Sequence, residues 1–372
     1  MNRSAHPDAG GESRCFHVLD ALRGVAALLI VLRHTPDFWG PVRFQETYLA
    51  VDLFFVMSGV VIAHAYEARL LAGLSVRRFM LARLIRLYPL YLLGLFLGAL
   101  EFLMNLSRLP VGSQGFAAAA FLMNLVFLPY AGTIPFNPPS WSLGFELVAN
   151  WAYAALRPAF GRAGLIAASA VGAAALTLGA LRFGTGLDIG WTPQTFPFGF
   201  ARVFAEFPLG VLLYGLYRRP RRRPSTINGV RGDAACVLIV TLAVLALLVH
   251  PSPVWRAAYD LGCALLVFPA LVYVALDVRP ARLTGACGVA GLISYPVYVN
   301  HAPLGALTQR ALLSVGWTAD AAAPVSGLGL LAALCVLAVI IGKHVDPIVR
   351  RWLTDRVGRV GPQGALGSVL HA

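Results

Sequence analysis

Apolar residues run along the chain in blocks of about 15 to 25, separated by short basic or Pro- and Gly-rich segments. A block of that length, rising about 1.5 Å per residue as a helix, is matched to the roughly 30 Å hydrocarbon core of a bilayer. Eleven blocks stand out, at 17–34, 48–66, 83–104, 116–130, 140–157, 163–181, 200–217, 233–249, 257–276, 289–313 and 325–342. They predict an all-α polytopic membrane protein with no large soluble domain between them. Block 116–130 is the shortest and runs into the breaker-rich "AGTIPFNPPS", so a re-entrant or interfacial segment is expected there. Parity supports that choice. Basic loops fall at 69–86, 157–162, at "RRPRRRP" (218–224), at 279–282 and from Lys343 to Arg359. If all eleven blocks crossed, the 218–224 cluster would lie opposite Arg77 and Arg78, against the positive-inside rule. Without 116–130, every basic loop falls on the cytoplasmic side. The expected fold is therefore a bundle of about ten transmembrane helices with both termini cytoplasmic: a tail over 1–16, a membrane domain over 17–345 and a second tail over 346–372. Asp20 and Arg23 interrupt the first block and no small-residue cleavage site follows, so that helix is expected to remain in the mature protein.

Composition sharpens the class. The chain is 58% hydrophobic and only 13% charged, outside the range of soluble domains. A net charge of +13 would suggest nucleic acid in a soluble protein; here the cations sit in loops that orient the chain, and no nucleic-acid partner is expected. Lys343 is the only Lys, which reads as coding bias. Cys15, Cys236, Cys263, Cys287 and Cys335 lie singly, without metal-site or disulfide spacing, and read as small buried hydrophobes; no metal is expected.

Charged groups inside apolar blocks carry the chemistry, because each costs several kcal/mol in lipid unless it is paired, faces the bundle interior or works. In "LDALRGVAALLIVLRHT" the eleven steps from Arg23 to His34 bring both side chains onto one helical stripe, about 16 Å apart along the axis. Asp20 is placed to pair with Arg23 at i, i+3. A structural ion pair with His34 at the helix end is the plainer account of these residues alone; two ends of an elongated ligand are the alternative. "YLAVDLFFVMSG" adds Asp52 and Ser58, and "RRFMLARLIRLYP" puts Arg83 and Arg86 on one face, suited to lipid headgroups or to a phosphorylated ligand. "PPSWSLGFE" opens a helix with Trp141 and Ser142, and one turn deeper Glu146 needs a cation such as Arg23 or His34, or a substrate. "GLISYPVYVNHAPLG" places Tyr295 and His301 between Pro296 and Pro303, with a satisfied core histidine as the plain alternative.

In this order and spacing, "LDALRGVAALLIVLRH", "VDLFFVMSG", "RLIRLYP", "SWSLGFE" and "SYPVYVNHAPL" resemble the integral membrane acyltransferase 3 family over nearly the whole chain. The resemblance implies a multi-pass protein of the bacterial inner membrane. It implies transfer of an acyl group, commonly acetyl, from an acyl-CoA donor to a hydroxyl of a carbohydrate, glycolipid or glycoside acceptor, as in O-acetylation of polysaccharides, with acyl-CoA as donor substrate and no bound cofactor. By carry-over, His34 matches the essential histidine and Arg23 the essential arginine. Arg83 and Arg86 match the donor-handling pair, Glu146 the acidic residue of the Trp-Ser-Leu motif, and His301 the late histidine. His34 is expected to act as general base, with Glu146 orienting it. Asp346-Pro347 stands where the family often has Glu-Pro. A transporter and a non-catalytic subunit of polysaccharide export are the competing readings.

Overall fold

The computed structural model describes residues 15–105, 113–128, 136–219 and 227–358. Most of the N-terminal tail, most of the 218–224 basic loop and the C-terminal tail from 359 lie outside the described residues. Helices α1 (His17–His34), α2 (Ala50–Leu71) and α3 (Val76–Met104) lead into a short α4 (Ser113–Leu125). There follow α5 (Trp141–Phe183), α6 (Phe196–Tyr217), α7 (Gly229–Leu248), α8 (Pro253–Gly262) and α9 (Phe268–Ala275). The set closes with α10 (Thr284–Ser314), α11 (Val325–Ile340) and α12 (Asp346–Gly358). Strand β1 (Ile227–Asn228) pairs in parallel with β2 (Val278–Pro280), tying the start of α7 to the start of α10. Among the described residues, seven helical runs are long and apolar enough to cross a membrane. The charged α1 and the proline-broken α10 are outside that set, yet they pack against each other along much of their lengths.

The predicted break between two blocks at 157–162 is present as a tight turn. Helix α5 consists of two limbs that meet at Gly161, whose φ of 57° and ψ of −147° suit glycine. Packing against α6 shows what the break does. Phe145 meets Phe196 and Phe200, and Tyr153 meets Phe207, so the first limb runs parallel to α6. Gly172 abuts Ala205 while Gly179 abuts Phe198, so the second limb runs antiparallel. The chain therefore doubles back at Gly161.

Block 116–130 behaves as its length suggests. Thirteen residues of α4 make only about 20 Å of helix. Phe121 packs on Phe96, and the hydroxyls of Tyr91 and Tyr88 donate to the Asn124 and Leu125 carbonyls at its end. By Phe136 the chain is back against Gly98, nearer the end of α3 from which it left.

Close backbone approach sets the core. α1 runs parallel to α10, with Gly24 against Ala290 in its first half and His34 against His301 at its end. α2 runs parallel to α6, with Asp52 meeting Arg202 towards one end and His64 meeting Tyr214 towards the other; between them a Cβ on Gly59 would collide with the Phe207 carbonyl and one on Gly210 with the Val56 carbonyl. Between α7 and α10 the Sγ atoms of Cys236 and Cys287 lie 3.8 Å apart, both buried, a pairing that their spacing along the chain does not signal.

Candidate functional site

Two cavities lie along α1. The larger, about 640 Å³, is at its C-terminal end and is walled by His34, Arg33, Trp141, Asp188, Arg202 and Tyr298 among others. The smaller, about 220 Å³, is lined by Arg23, Arg83, Arg86, Glu146, Tyr295 and Arg350 among others. Val51 and Tyr298 border both. The Tyr298 hydroxyl donates to the Pro139 carbonyl at 2.7 Å, which leaves the Ser142 hydroxyl to donate to Tyr298 at 2.6 Å. This partition is a side chain held at both ends.

His34 is the last residue of α1, and α10 supplies its partner. His301 is fully buried, with Nδ1 2.9 Å from the Tyr298 carbonyl and 3.2 Å from that of Val297. A carbonyl only accepts, so Nδ1 of His301 carries the hydrogen and its Nε2 offers a lone pair. That Nε2 lies 3.2 Å from Nδ1 of His34, which is also 2.9 Å from the Ile30 carbonyl. His34 Nδ1 is thereby the donor. The remaining nitrogen, Nε2, keeps its lone pair on an exposed ring that lines the large cavity. His301 lies between Pro296 and Pro303 within the continuous helix α10.

Glu146 is elsewhere. Its Oε1 accepts from Arg83 at 3.0 Å and from Ser58 at 2.7 Å, on the arginine side of the Tyr298 partition. The cation that neutralises it is Arg83, not Arg23 or His34, and the group that orients His34 is His301. Asp20 and Arg23 make a loose pair at 3.9 Å. Tyr295 lines the same cavity and donates to the Leu87 carbonyl at 2.5 Å. Ser58 and Ser142 are also on its wall, whereas Trp141 faces the His34 cavity.

Asp52 lines neither cavity. It is fully buried and takes Nε and Nη2 of Arg202 at 2.9 and 2.6 Å. Arg202 also donates to the Ile189 and Tyr48 carbonyls, and its guanidinium lies 5.4 Å from the Trp141 ring centre. That cluster fastens α2, α6 and the segment after α5 to one another. Arg202 escaped the sequence reading, although Arg202 and Glu206 in "FARVFAEF" are intramembrane charges of the kind that mark a site or a buried pair. Asp188, paired with Arg33 at 2.6 Å beside His34, and Arg350 in the arginine cavity were also missed. Both lie in segments read as a loop or a tail.

A family model described as an acyltransferase domain matches residues 16–343. A Rhizobium radiobacter protein described as protein 2 in the picA locus is 44% identical over 155 residues, 37% of this chain and 81% of that protein. BcsY of Komagataeibacter xylinus, named as a proposed membrane-bound transacylase, is 27% identical over 299 residues, 77% of this chain and 72% of that protein. No solved structure matches the chain.

Proposed function

The chain belongs to the acyltransferase 3 family of integral membrane proteins, and from that membership we propose that it carries an acyl group, acetyl foremost, from a CoA thioester to a hydroxyl of a carbohydrate or glycoside acceptor. The donor enters the arginine cavity and the acceptor meets His34. The transporter and export-subunit readings give way to the family assignment. An alcohol attacks a thioester poorly until a base takes its proton, and a neutral imidazole suits that task. His34 Nε2 removes the hydroxyl proton as the oxygen bonds to the thioester carbonyl carbon. The carbon–sulphur bond then breaks, and the proton passes from the imidazolium to the departing thiolate. An ester and free CoA result, with no net proton gained or lost.

Arg83 and Arg86 grip donor phosphates through their planar forks, and Glu146 holds Arg83 in position. Arg23 attends the thin pantetheine arm, for which about 16 Å of helix separates it from His34. Ten crossings suit the pairing directions: α1, α2, α3, the two limbs of α5, α6, α7, α8 with α9, α10, and α11. The arginine cavity and both termini then face the cytoplasm of a bacterial inner membrane. Residues 17–345 form the membrane domain, with 1–16 as a cytoplasmic tail.

The observation that carries this reading is the unprotonated Nε2 that the His301 and Ile30 contacts leave on the His34 ring. Purified protein is expected to transfer or hydrolyse label from acetyl-CoA, and His34→Ala to lose about 10² to 10⁴-fold in rate while keeping its melting temperature. Full activity in that variant refutes the base. Mass spectrometry of surface glycans from a deletion strain, searched for a lost acyl increment, identifies the acceptor.

A further inference from the structure

Helix α11 ends in one π-helical turn, Ile341–Val345, and α12 begins immediately after it at Asp346. A π turn inserts an extra residue into the helical repeat and re-aims the side chains that follow, a device frequent at functional sites. Here Asp346 and Arg350 both reach the arginine cavity. Arg350 holds Asp346 in a fork, Nε to Oδ1 at 2.8 Å and Nη2 to Oδ2 at 2.5 Å. The cavity thus gathers four guanidiniums, of Arg23, Arg83, Arg86 and Arg350, with the carboxylates of Glu146 and Asp346 on its wall and that of Asp20 behind Arg23. Arg83 is committed to Glu146 and Arg23 loosely to Asp20, whereas Arg86 has no ion pair among the described residues. Four guanidiniums against three carboxylates leave a small excess of positive charge, which suits an anionic ligand able to take over the carboxylates' places beside the guanidiniums.

Arg350 is the most open of the ion-paired guanidiniums in the cavity: its side chain is 30% exposed, that of Arg83 8%. A CoA thioester carries a pyrophosphate between pantetheine and adenosine, and a phosphomonoester on the ribose at the end away from sulphur. With the thioester towards His34, the monoester is the last group to enter.

We propose that Arg350 binds the ribose 3′-phosphate of the donor, which makes α12 part of the donor site and not a tail. The proposal rests on the CoA reading of the arginine cavity. A phosphate dianion presents more charge to a planar fork than a carboxylate does, so on binding Arg350 exchanges Asp346 for phosphate. Asp346 is the internal stand-in that keeps Arg350 extended into the cavity when no donor is present.

Calorimetric titration of the full-length protein in detergent with CoA and with dephospho-CoA, without acceptor, tests this. The unaltered protein is expected to prefer CoA by about tenfold or more, the scale of one charge-assisted contact. Arg350→Gln is expected to bring the ratio near one. Arg350→Lys, which keeps the charge without the fork, retains part of the preference, and Asp346→Asn keeps or widens it. A preference undiminished in Arg350→Gln overturns the proposal, as does an unaltered protein that binds both ligands equally. Should Arg350→Gln not yield folded protein, the Lys variant carries the test: an unchanged ratio there counts against the assignment. The joint variant Arg83→Gln and Arg86→Gln separates the two layers. CoA bound normally by that variant removes the donor reading itself, whereas CoA lost there but the preference intact in Arg350→Gln removes only the role of Arg350.

Discussion

A neutral imidazole has one donor and one acceptor nitrogen, so a single hydrogen bond at one end decides what the other end can do. At His34 that decision is made by a backbone carbonyl and by a histidine 267 positions away. His301→Phe keeps the volume and removes the acceptor. It is expected to lower turnover about 10- to 100-fold, the range for losing a group that orients a functional imidazole, with donor affinity unchanged and the pH–rate profile displaced. His301→Gln, whose amide oxygen accepts a hydrogen bond, recovers part of the loss. A role confined to packing predicts instead that both variants lose stability together with activity, so melting temperature is measured beside the rate. The residues at this scale were legible because lipid makes charge expensive: Arg23, His34, Arg83, Arg86 and Glu146 announce themselves inside apolar blocks. Their pairing was not. Glu146 meets Arg83 from 63 positions away, and no helical spacing encodes which of several cations a carboxylate reaches once helices pack.

Elements meet here through missing side chains and through ion pairs, of which that between Arg202 and Asp52 is fully buried. Arg202 and Asp52 are both fully buried. Arg202→Met strands the Asp52 carboxylate and is expected to cost about 3–5 kcal/mol, most of it recovered when Asp52→Leu is added, because a lost partner costs more than a lost pair. Denaturation of the single and double variants in detergent distinguishes this from a direct part in catalysis, in which the double variant folds well and stays inactive. Gly161→Ala forces a side chain into a backbone region that suits glycine, at about 1–3 kcal/mol, and is expected to reduce the yield of folded protein. Block lengths predicted most helices to within a few residues, since a run of apolar residues bounded by breakers leaves a chain in lipid few alternatives. They placed the turn inside α5, where one glycine after Pro158 serves as the whole connection, but they missed the π turn before Asp346, which leaves no mark in hydropathy.

Across the molecule, the arginine cavity and the His34 cavity share Val51 and Tyr298 on their walls, so in the proposed reaction a donor reaching from one towards the other passes the Tyr298 ring. Which side of the membrane each cavity faces decides whether the acyl group crosses the bilayer, and the chain carries its own reporter. Cys15, just before α1, is exposed, while Cys236, Cys263 and Cys287 are buried. In the ten-crossing topology Cys15 is cytoplasmic and Trp191, exposed on the wall of the His34 cavity, is external. A membrane-impermeant maleimide applied to intact spheroplasts is therefore expected to leave Cys15 unlabelled until the membrane is permeabilised. A cysteine introduced as Trp191→Cys, with Cys15→Ser to silence the background, is expected to label at once. Labelling of both before permeabilisation means an odd number of crossings between residues 15 and 191 has been wrongly drawn, and α4 or the α5 hairpin is the place to look. Labelling of neither inverts the orientation at position 191 alone, and then donor and acceptor meet on one side of the membrane, with no acyl group carried across.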